Sequence, residues 1–426
     1  MALRPLRRVL LCALCSVGSH ARVCSIVDFG AVGDGYTMNT KAITAAVQAC
    51  AGGGTILVPA VRGHGAVFLT GSFVLTSDNL ELRVEANAIL RGSSEEQHYP
   101  LIGPLPSYGT GRDVPTDKRF RSLIFASNVS NISLTGSGVI DGNGHVWWEK
   151  FFMRRLKWSR PRLVELMFCR SILVEDLTFT NSPFWTIHPY ASVDVTVQRV
   201  TVTAPGWAPN TDGVDPDSCR NVLIKDCVFR AGDDGVAIKS GLDAAGRAFG
   251  MASENIRIEN VTVEPDFDNG STNGVSIGSE MSGDVRNVTV VGLRVRRCAV
   301  GVYVKSMQGR GGVVENVLFS NIDADRVVQP IRFAMYYLYA GAATDGPSRG
   351  GVPAANNTTP RFRNLTVSNL TATRAWIAGV FEGLPNSTIV GVTLQGVRID
   401  AHEPFKCTHA SGVARDTSPA ACFGAS

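Results

Sequence analysis

The sequence predicts an all-β fold, a single-stranded right-handed parallel β-helix with an N-terminal capping helix. Three observations predict it. Strands rich in Val, Ile and Thr recur at roughly 23 to 34 residues, a period typical of solenoids. Helical periodicity is nearly absent between them, which argues against strand-helix-strand units. The 44 Gly among 426 residues and the charged fraction of only 18% fit a chain of buried strands and tight turns.

The repeating unit is a strand, a turn and a second strand. Alternating β-branched residues form the strands, and Asn, Gly and Asp mark the turns. Stacked units would bring their inward Val, Ile and Leu side chains into one continuous core. The clear units begin at Asn131, Ser171, Asp194, Asn221, Asn255 and Asn287, and weaker copies begin at Glu315, Arg363 and Thr388.

One amphipathic helix precedes these strands. It is the run NTKAITAAVQAC, which ends at Cys50, and either Asn39 or Thr40 is suited to cap its N-terminus. The open end of a β-helix exposes unpaired strand edges. We therefore expect this helix to cover the first coil.

The chain is predicted to hold one domain behind a secretory signal. Residues 1–21 combine a basic start, a short apolar stretch and small residues, which is typical of a cleaved signal. Residues 22–426 then form a single parallel β-helix domain, with 22–60 as the N-terminal cap and first coil and 400–426 as the C-terminal tail. No later apolar run is long enough to span a bilayer, so we expect a secreted, extracellular protein without a membrane partner. Sequons such as Asn128 fit a secreted glycoprotein.

The cysteines fit an oxidising compartment. Ten Cys are present, and two lie in the predicted signal, which leaves an even number for disulfides. Cys219 and Cys227 are either a third pair or two inward thiols of the stacked core. No Cys/His spacing resembles a zinc site, so no metal is expected. The favoured pairs are Cys24 with Cys50, and Cys407 with Cys422.

The charge balance limits the classes of binding partner that we expect. A formal net charge of +4 with a pI near 8.5 suits an acidic polysaccharide. No basic run with interleaved aromatics occurs, which argues against nucleic acid. The Gly-rich GAVGDG at residues 30–35 lacks the Lys and the strand-helix context of a phosphate loop, so no nucleotide or other cofactor is expected.

Three carboxylates stand out within the repeats. Asp212 lies in APNTDGVDPDSC, and Asp233 and Asp234 lie in FRAGDDGVAIKSG, about one repeat later. Neighbouring strands are ~5 Å apart, so these side chains are predicted to share one surface. Glycoside hydrolysis with inversion uses one acid and one water-activating base, with a gap of about 6.5–9.5 Å for the water. Because three such carboxylates repel one another, one should keep its proton and act as the acid.

The chain from Ser25 to about Asp400 resembles a polygalacturonase of the pectin-degrading glycoside hydrolase family, closest to its plant-type branch. The resemblance implies a β-helix that cleaves galacturonan by single displacement with inversion. It implies Asp233 as the general acid, Asp212 and Asp234 as the pair that activates water, and Asn210 as the amide of the Asn-Thr-Asp motif. The segments that carry it are VDFGAVGDGYTMNTKAI, FLTGSFVLTS, GVIDGNGHVWWEKF, TNSPFWTIHPY, NTDGVDPDSC, GDDGVAIKSG, IGSEMSG and GRGG.

Two positions depart from that family pattern. Asn273 stands where many members carry a His, and Tyr303 stands where the family's Arg-Ile-Lys has its Arg. Tyr cannot replace the charge or the two-pronged geometry of Arg at a galacturonate carboxylate. Lys305 keeps the remaining cation of the motif. We therefore expect intact hydrolysis with altered substrate recognition, and we include Asn273, Tyr303 and Lys305 among the substrate-binding residues.

Several other residues have both a functional and a structural interpretation. Lys239 either holds an anionic sugar or is a solvated strand residue, and His188 either orients the substrate or is buried and hydrogen-bonded. Trp185 and Trp207 either stack on sugar rings or pack under loops. Glu280 is either a cleft carboxylate or an ordinary surface residue.

The leading function is a secreted hydrolase of galacturonic-acid-containing pectin that acts as a monomer in the cell wall. A pectate-lyase-type enzyme is the first alternative, although that chemistry needs a calcium site and a cationic base. A catalytically weakened pectin-binding protein is the second, and the absent Arg is its best support. The three intact aspartates favour the hydrolase.

Overall fold

The structure is a computed structural model that describes residues 22–60, 66–110, 116–267, 270–337 and 355–423. The predicted signal lies outside the described residues. The described chain forms a parallel β-helix, as the repeats predict. Among these residues, no helix combines the length and the apolarity needed to cross a bilayer.

The N-terminal coils have short strands, and a helix covers their open end. Helix α1 (Thr40–Ala49) packs Ile43, Ala46 and Val47 onto the first strands, which confirms the predicted cap. Asn39 precedes the helix, but its side chain donates to the backbone carbonyls of Val32, Thr37 and Leu69 instead of capping it. The strands are β1 (Val23–Ser25), β2 (Asp34–Met38), β3 (Gly54–Val58), β4 (Ala66–Thr70), β5 (Phe73–Leu75), β6 (Leu80–Val84), β7 (Ala88–Gly92), β8 (Leu101–Ile102), β9 (Arg119–Phe120), β10 (Ile124–Ser127), β11 (Ser130–Thr135) and β12 (Val139–Asp141), with short 3₁₀ turns at Ile26–Phe29, Glu96–His98 and Pro106–Tyr108.

The middle coils carry two further helices that the sequence analysis missed. Helix α2 (His145–Phe152) and helix α3 (Asp243–Phe249) are inserted between strands. Helix α2 buries Trp147 and Trp148, so a signal for it was present in the run HVWWEKFF. The strands are β13 (Val164–Met167), β14 (Arg170–Glu175), β15 (Thr178–Thr180), β16 (Ile187–Tyr190), β17 (Val193–Gln198), β18 (Thr201–Thr203), β19 (Arg220–Lys225), β20 (Val228–Arg230) and β21 (Val236–Ile238).

The C-terminal coils use longer strands. Residues predicted as a tail from 400 onward continue the solenoid, because the last strand pairs with the coil before it. The strands are β22 (Ser253–Val263), β23 (Asn273–Ile277), β24 (Val285–Arg296), β25 (Val300–Lys305), β26 (Val313–Asp325), β27 (Gln329–Ala334), β28 (Arg361–Ile377), β29 (Val380–Glu382), β30 (Ile389–Glu403), β31 (Lys406–Thr408) and β32 (Ala410–Ser418).

Strands of successive coils stack in parallel ladders. One ladder begins β1-β3-β6-β11-β14-β17-β19, and a second begins β2-β4-β7-β12-β15-β18-β20. Both join at β22, and the long strands β22, β24, β26, β28 and β30 then serve both faces. A further face runs from β5 to β16 and, after bridges at Val214 and Asp217, from β21 to β31. The site described below lies on this last face.

A row of amides runs along one turn of the solenoid. Each Asn side chain donates its Nδ2 to the Oδ1 of the residue one coil earlier, over 2.9–3.4 Å, and Asp194 accepts at the start of the row. Their backbones are left-handed, with φ near +55°, which Asn tolerates better than most residues. We call this row the asparagine ladder, and its members are Asp194, Asn221, Asn255, Asn287, Asn316 and Asn364.

The disulfides follow the favoured pairing. Cys24 bonds Cys50, and Cys407 bonds Cys422. The third pair considered is wrong, because Cys219 and Cys227 are separate buried thiols. Inward positions of a stacked core suit a small apolar thiol, which is why the bond is not needed there.

Candidate active site

Stacked coils bring the predicted carboxylates together. The amide of Gly213 donates to Asp234 O over 3.0 Å, and the amide of Gly235 donates to Asn273 O over 2.8 Å. Asp212, Asp234 and Asn273 therefore form an outward row on three successive coils. Glycine is required beside them, since a Cβ on Gly213 would lie 2.4 Å from Gly235 O.

The three aspartates are closer together than predicted. One oxygen from each of Asp212, Asp233 and Asp234 lies within 4.8 Å of the others. The expected gap of about 6.5–9.5 Å is therefore wrong for this site. The cause is that Asp212 and Asp234 are in register on adjacent coils, and Asp233 is the immediate neighbour of Asp234 in the chain.

Asp234 is held by two donors from later coils. Asn273 Nδ2 donates to Asp234 Oδ1 over 2.6 Å, and Lys305 Nζ lies 2.8 Å from Asp234 Oδ2. Burial alone would lower the pKa of Lys305, but Asp234, Tyr337 and Asp233 together outweigh burial and raise that pKa well above its usual value. Lys305 is therefore a fixed cation, and together with Asn273 it holds the Asp234 carboxyl group in place.

Asp212 faces a second lysine on the floor of the site. Lys239 Nζ lies 3.8 Å from Asp212 Oδ2, 3.3 Å from Asp215 Oδ1 and 3.5 Å from Glu280 Oε2. All four side chains are buried. Burial raises the pKa of Asp215 to about 7, although Lys239 opposes the rise. Lys239 is thus not the solvated strand residue, because three carboxylates surround its ammonium group, and it also lines the cleft.

Asp233 is contacted by neutral donors. Asn210 Nδ2 donates to its Oδ2 over 3.3 Å, and the backbone N–H of Asp234 donates to its Oδ1 over 2.9 Å. Buried Arg160 donates to Asn210 Oδ1 over 2.8 Å. A guanidinium can only donate, so Asn210 must turn its oxygen to Arg160 and its amino group to Asp233.

The carboxylates lie in a cleft of about 450 Å³. Its lining includes Lys239 and Lys305 on the floor and Glu280 beside them. Phe151, Phe152 and Trp207 line one end, and Tyr337 also lines the cleft. A cleft lined by carboxylates, lysines and aromatic rings is suited to bind a sugar chain.

Some predicted substrate-binding residues lie outside this lining. His188 is fully buried between Glu165 and Asp217, with its nitrogens 3.2 Å and 3.5 Å from their oxygens, so the structural interpretation holds and direct substrate contact is wrong. Trp185 is also fully buried and packs under Lys239. Trp207 is the aromatic that reaches the cleft.

Tyr303 and Asn273 also have different positions from those predicted. Tyr303 is buried beside Tyr337 and Lys305, and the guanidinium of Arg332 lies 5.5 Å from its ring. A stacking face towards the substrate is therefore wrong for Tyr303 as it stands. Asn273 is buried against Asp234, where it positions that carboxylate.

A buried ionic network supports the floor from the N-terminal coils. Arg119 Nη1 lies 2.8 Å from Glu165 Oε2, and Arg162 Nε lies 3.4 Å from Glu165 Oε1. Burial alone would raise the pKa of the Glu165 carboxyl, but the two guanidiniums lower it far below its usual range. Tyr108 donates to Asp217 over 2.6 Å, and burial raises its pKa well above 10. These groups are paired and buried, so they stabilise the site without touching a substrate.

Sequence reasoning missed Asp215, Arg160 and the aromatic end of the cleft. Asp215 had no signal in strand alternation, because a residue three positions after Asp212 would point to the opposite face of a strand. Phe151 and Phe152 would have followed from recognising α2. Arg160 lies in a loop, and nothing in its local sequence indicates a contact with Asn210.

The arrangement is suited to acid-base chemistry. Asp212 and Asp234 lie against lysines, while Asp233 accepts hydrogen bonds from two amides and also adds to the charge that acts on Lys305. The same three oxygens lie close enough to share a cation, but two adjacent ammonium groups weaken the attraction for a metal ion. The site therefore places three carboxyl groups in different surroundings within reach of one substrate bond.

Comparisons with known proteins agree with this chemistry. The family model described as glycosyl hydrolases family 28 matches residues 69–422. A probable polygalacturonase of Vitis vinifera is 34% identical over 420 residues, which is 96% of this chain and 81% of the relative. An exopolygalacturonase of Thermotoga maritima has a solved structure with a TM-score of 0.78 at 28% identity, covering 93% of this chain and 91% of the other. A polygalacturonase structure from Erwinia carotovora has a TM-score of 0.72 at 23% identity, with coverage of 92% and 97%, and supports the right-handed parallel β-helix fold.

Proposed function

The chain belongs to glycosyl hydrolases family 28, and from that premise we propose that it cleaves the α-glycosidic bonds of galacturonic-acid-containing pectin. Membership makes it a glycoside hydrolase. The substrate class follows from the names of its relatives and from the two lysines in the cleft. An acidic polysaccharide suits such a cleft better than a neutral one.

The roles of the aspartates follow from one observation, the distribution of the lysines. Lys239 neutralises the surroundings of Asp212, and Lys305 binds Asp234 directly. Nearby cations favour the ionised form of a carboxyl group. Asp212 and Asp234 are therefore the bases that orient and deprotonate water. Asp233 keeps the shared proton and acts as the general acid.

The reaction needs one displacement. Asp233 gives its proton to the glycosidic oxygen as the bond to the anomeric carbon breaks. A water held by Asp212 and Asp234 attacks that carbon and gives a proton to one of them. The short spacing of the carboxylates does not by itself favour inversion over retention, so the proposed inversion rests on the resemblance to the family.

Arg160 and Asn210 fix the acid in this mechanism. Because Arg160 accepts no hydrogen bond, Asn210 cannot flip its amide without losing the contact over 2.8 Å. Its amino group then remains directed at Asp233 Oδ2. The protonated oxygen of Asp233 is left to face the leaving group.

Secretion and a monomeric state complete the proposal. The predicted signal at 1–21 and the two disulfides are consistent with an oxidising, extracellular compartment such as the cell wall. One chain contributes the aspartates, the lysines and the cleft walls, so catalysis needs no second subunit.

Product analysis tests the reaction class. Purified protein should release reducing ends from a panel of galacturonan oligosaccharides without ultraviolet absorption from a new double bond. NMR of the first product should show the opposite anomer to that of the cleaved bond. A double-bond absorption would establish a lyase instead, and an initial product with the retained anomer would contradict water activation by Asp212 and Asp234.

A further inference from the structure

We propose that Trp207 and Phe152 form a stacking subsite for an uncharged sugar unit of the pectic chain, either methyl-esterified or neutral. This inference rests on the proposed function and adds a preference that the catalytic residues do not set. The subsite is the aromatic end of the catalytic cleft. We call it the aromatic wall.

Exposure distinguishes these rings from the other aromatics of the core. Phe152 is 57% exposed and Trp207 is 46% exposed, and both line the cleft that contains the aspartates. Trp185, by contrast, is fully buried. Large apolar rings exposed inside a polar cleft carry a cost in water that a bound apolar surface removes. The C–H face of a sugar ring is such a surface.

Neighbouring aromatic side chains of α2 hold the rings of the aromatic wall in place. The ring of Trp207 meets Trp148 edge-on at 5.4 Å and His145 at 6.1 Å, and both belong to α2. Phe152 ends the same helix and lies 6.5 Å from Trp207. A ring that is already fixed loses little conformational freedom when a sugar binds.

The charges of the cleft explain why the bound unit should be uncharged. Among the described residues that line the cleft, the lysines are Lys239 and Lys305, and both already face carboxylates. Arg160 packs 4.1 Å from the Phe151 ring, but it is buried and donates to Asn210. A galacturonate carboxylate placed on this wall would lose water without gaining an ion pair. A methyl ester or a neutral sugar has no such penalty.

The position of the wall places this unit next to the cleaved bond. Trp207 lies in the loop that leads to Asn210 and Asp212, on the same coil. Phe152 reaches in from a helix two coils earlier. The wall therefore contacts the sugar units on the N-terminal side of the aspartates, while Lys305 acts from the C-terminal side.

Three oligosaccharide substrates test the preference. The kcat/KM of the wild type, Trp207→Ala and Phe152→Ala is measured on oligogalacturonides of one length, with and without methyl esters, and on a rhamnose-containing oligomer. Loss of a stacking contact should lower kcat/KM on the uncharged substrates about ten-fold, and on the unesterified one much less. Trp376→Ala is the matched control, because Trp376 is 52% exposed on a coil five turns further along.

Different outcomes contradict different parts of the inference. Equal losses on all substrates would overturn the preference for an uncharged unit, and no loss in either variant would overturn the subsite. Loss on the methyl ester alone would identify the ester as the bound group, and equal loss on the rhamnose oligomer would identify any uncharged ring.

A binding measurement separates this inference from the proposed function. Calorimetric titration of the esterified oligomer into Asp233→Asn and into Asp233→Asn combined with Trp207→Ala needs no turnover. If the wild type hydrolyses nothing, the proposed function fails. The subsite still stands if Trp207→Ala weakens this binding about ten-fold, and falls if it does not.

Discussion

Two rows of side chains in this solenoid stack from coil to coil in the same way. The members of one row satisfy each other's hydrogen bonds, and the members of the other row do not. In the asparagine ladder, Asp194 accepts at one end, and each Asn between the two ends both donates and accepts, over 2.9–3.4 Å. Asp212 and Asp234 form the second row, which we call the cleft row. They stack in register on adjacent coils, but a carboxylate can only accept hydrogen bonds. The ladder is satisfied by its own members and is inert.

The cleft row depends on other coils for its donors. Lys239, Lys305 and Asn273 supply them, and the resulting group is charged, crowded and buried. The same stacking of coils therefore yields a structural seam with one residue type and a charged cluster with another. The difference lies in whether neighbouring side chains can satisfy each other.

Asp233→Asn should give the largest effect and tests the cleft row. Without a proton to donate, turnover should fall by about 100-fold or more, while the fold is kept. Release of reducing ends and thermal unfolding measure the two quantities. Asp194→Asn is the matched control in the asparagine ladder, and its activity should be unchanged. A residual rate above about a tenth of wild type would remove Asp233 from the role of acid.

Lys239→Met should make Asp212 a less effective base. Three buried carboxylates would lose their shared cation, so Asp212 would hold a proton to higher pH and the acidic limb of the kcat profile should move upward. We expect kcat to fall about 10- to 150-fold below neutral pH. Lys225→Met, on an outward strand position, is the control. A change in KM alone would mean that Lys239 binds substrate directly.

Lys239→Met combined with Glu280→Gln tests whether the balance of charge around Asp212 explains the effect of Lys239→Met. Removing one negative charge along with the lysine should restore part of the lost acidic limb. If the pH profile of the double variant matches that of Lys239→Met, charge balance is not the reason for the loss.

Tyr303→Arg tests the departure from the family pattern. The sequence alone predicts that it shifts preference towards unesterified polymer. The structure changes that expectation, because the new cation would lie beside Lys305 and Arg332. We expect a lower melting temperature without a gain in specificity. Exchanging both residues, Tyr303→Arg with Arg332→Tyr, avoids the third cation and should favour the unesterified polymer up to about ten-fold in kcat/KM. An equal gain in the single variant would show that Arg332 does not interfere.

Asp215→Asn should change how the free energy of unfolding depends on pH. The pKa of Asp215 is raised from 3.8 to about 7, so folding is most favoured while this group is protonated, and that stability is lost as pH rises through 7. The variant should be more stable than wild type above pH 7, and the difference should shrink towards pH 4. Urea unfolding at the two pH values measures it. A difference that grows towards acid pH would contradict the raised pKa.

Asn287→Ala should give the smallest effect and tests the asparagine ladder. It removes the hydrogen bonds to Asn255 and from Asn316 and places Ala at φ +55°, which should cost about 1–3 kcal/mol of unfolding free energy. Asn287→Gly avoids the backbone strain at this positive φ, so it should lower the free energy of unfolding by less than Asn287→Ala does. Activity should be unchanged in both. An activity loss without a stability loss would mean that the two rows are coupled.

The sequence predicted the features that repeat or lie within one motif. The strand period predicted the β-helix, the places of Cys24 and Cys50 at the cap and of Cys407 and Cys422 in the tail favoured the disulfides, and the aspartate motifs predicted the centre of the site. Each of these depends on intervals that the chain itself sets, because coils of similar length stack each motif on the next.

Only the tertiary structure decided what surrounds the aspartates. Lys239 was ambiguous in sequence, Arg160 gave no signal, and Tyr303 was expected to face the substrate. These side chains come from loops and coils whose lengths vary, so no fixed interval relates them to Asp212 or Asp233. The sequence determined which coils carry the acids, and the packing of distant side chains decided which charges and donors surround each acid, since burial and nearby charge act through space rather than along the chain.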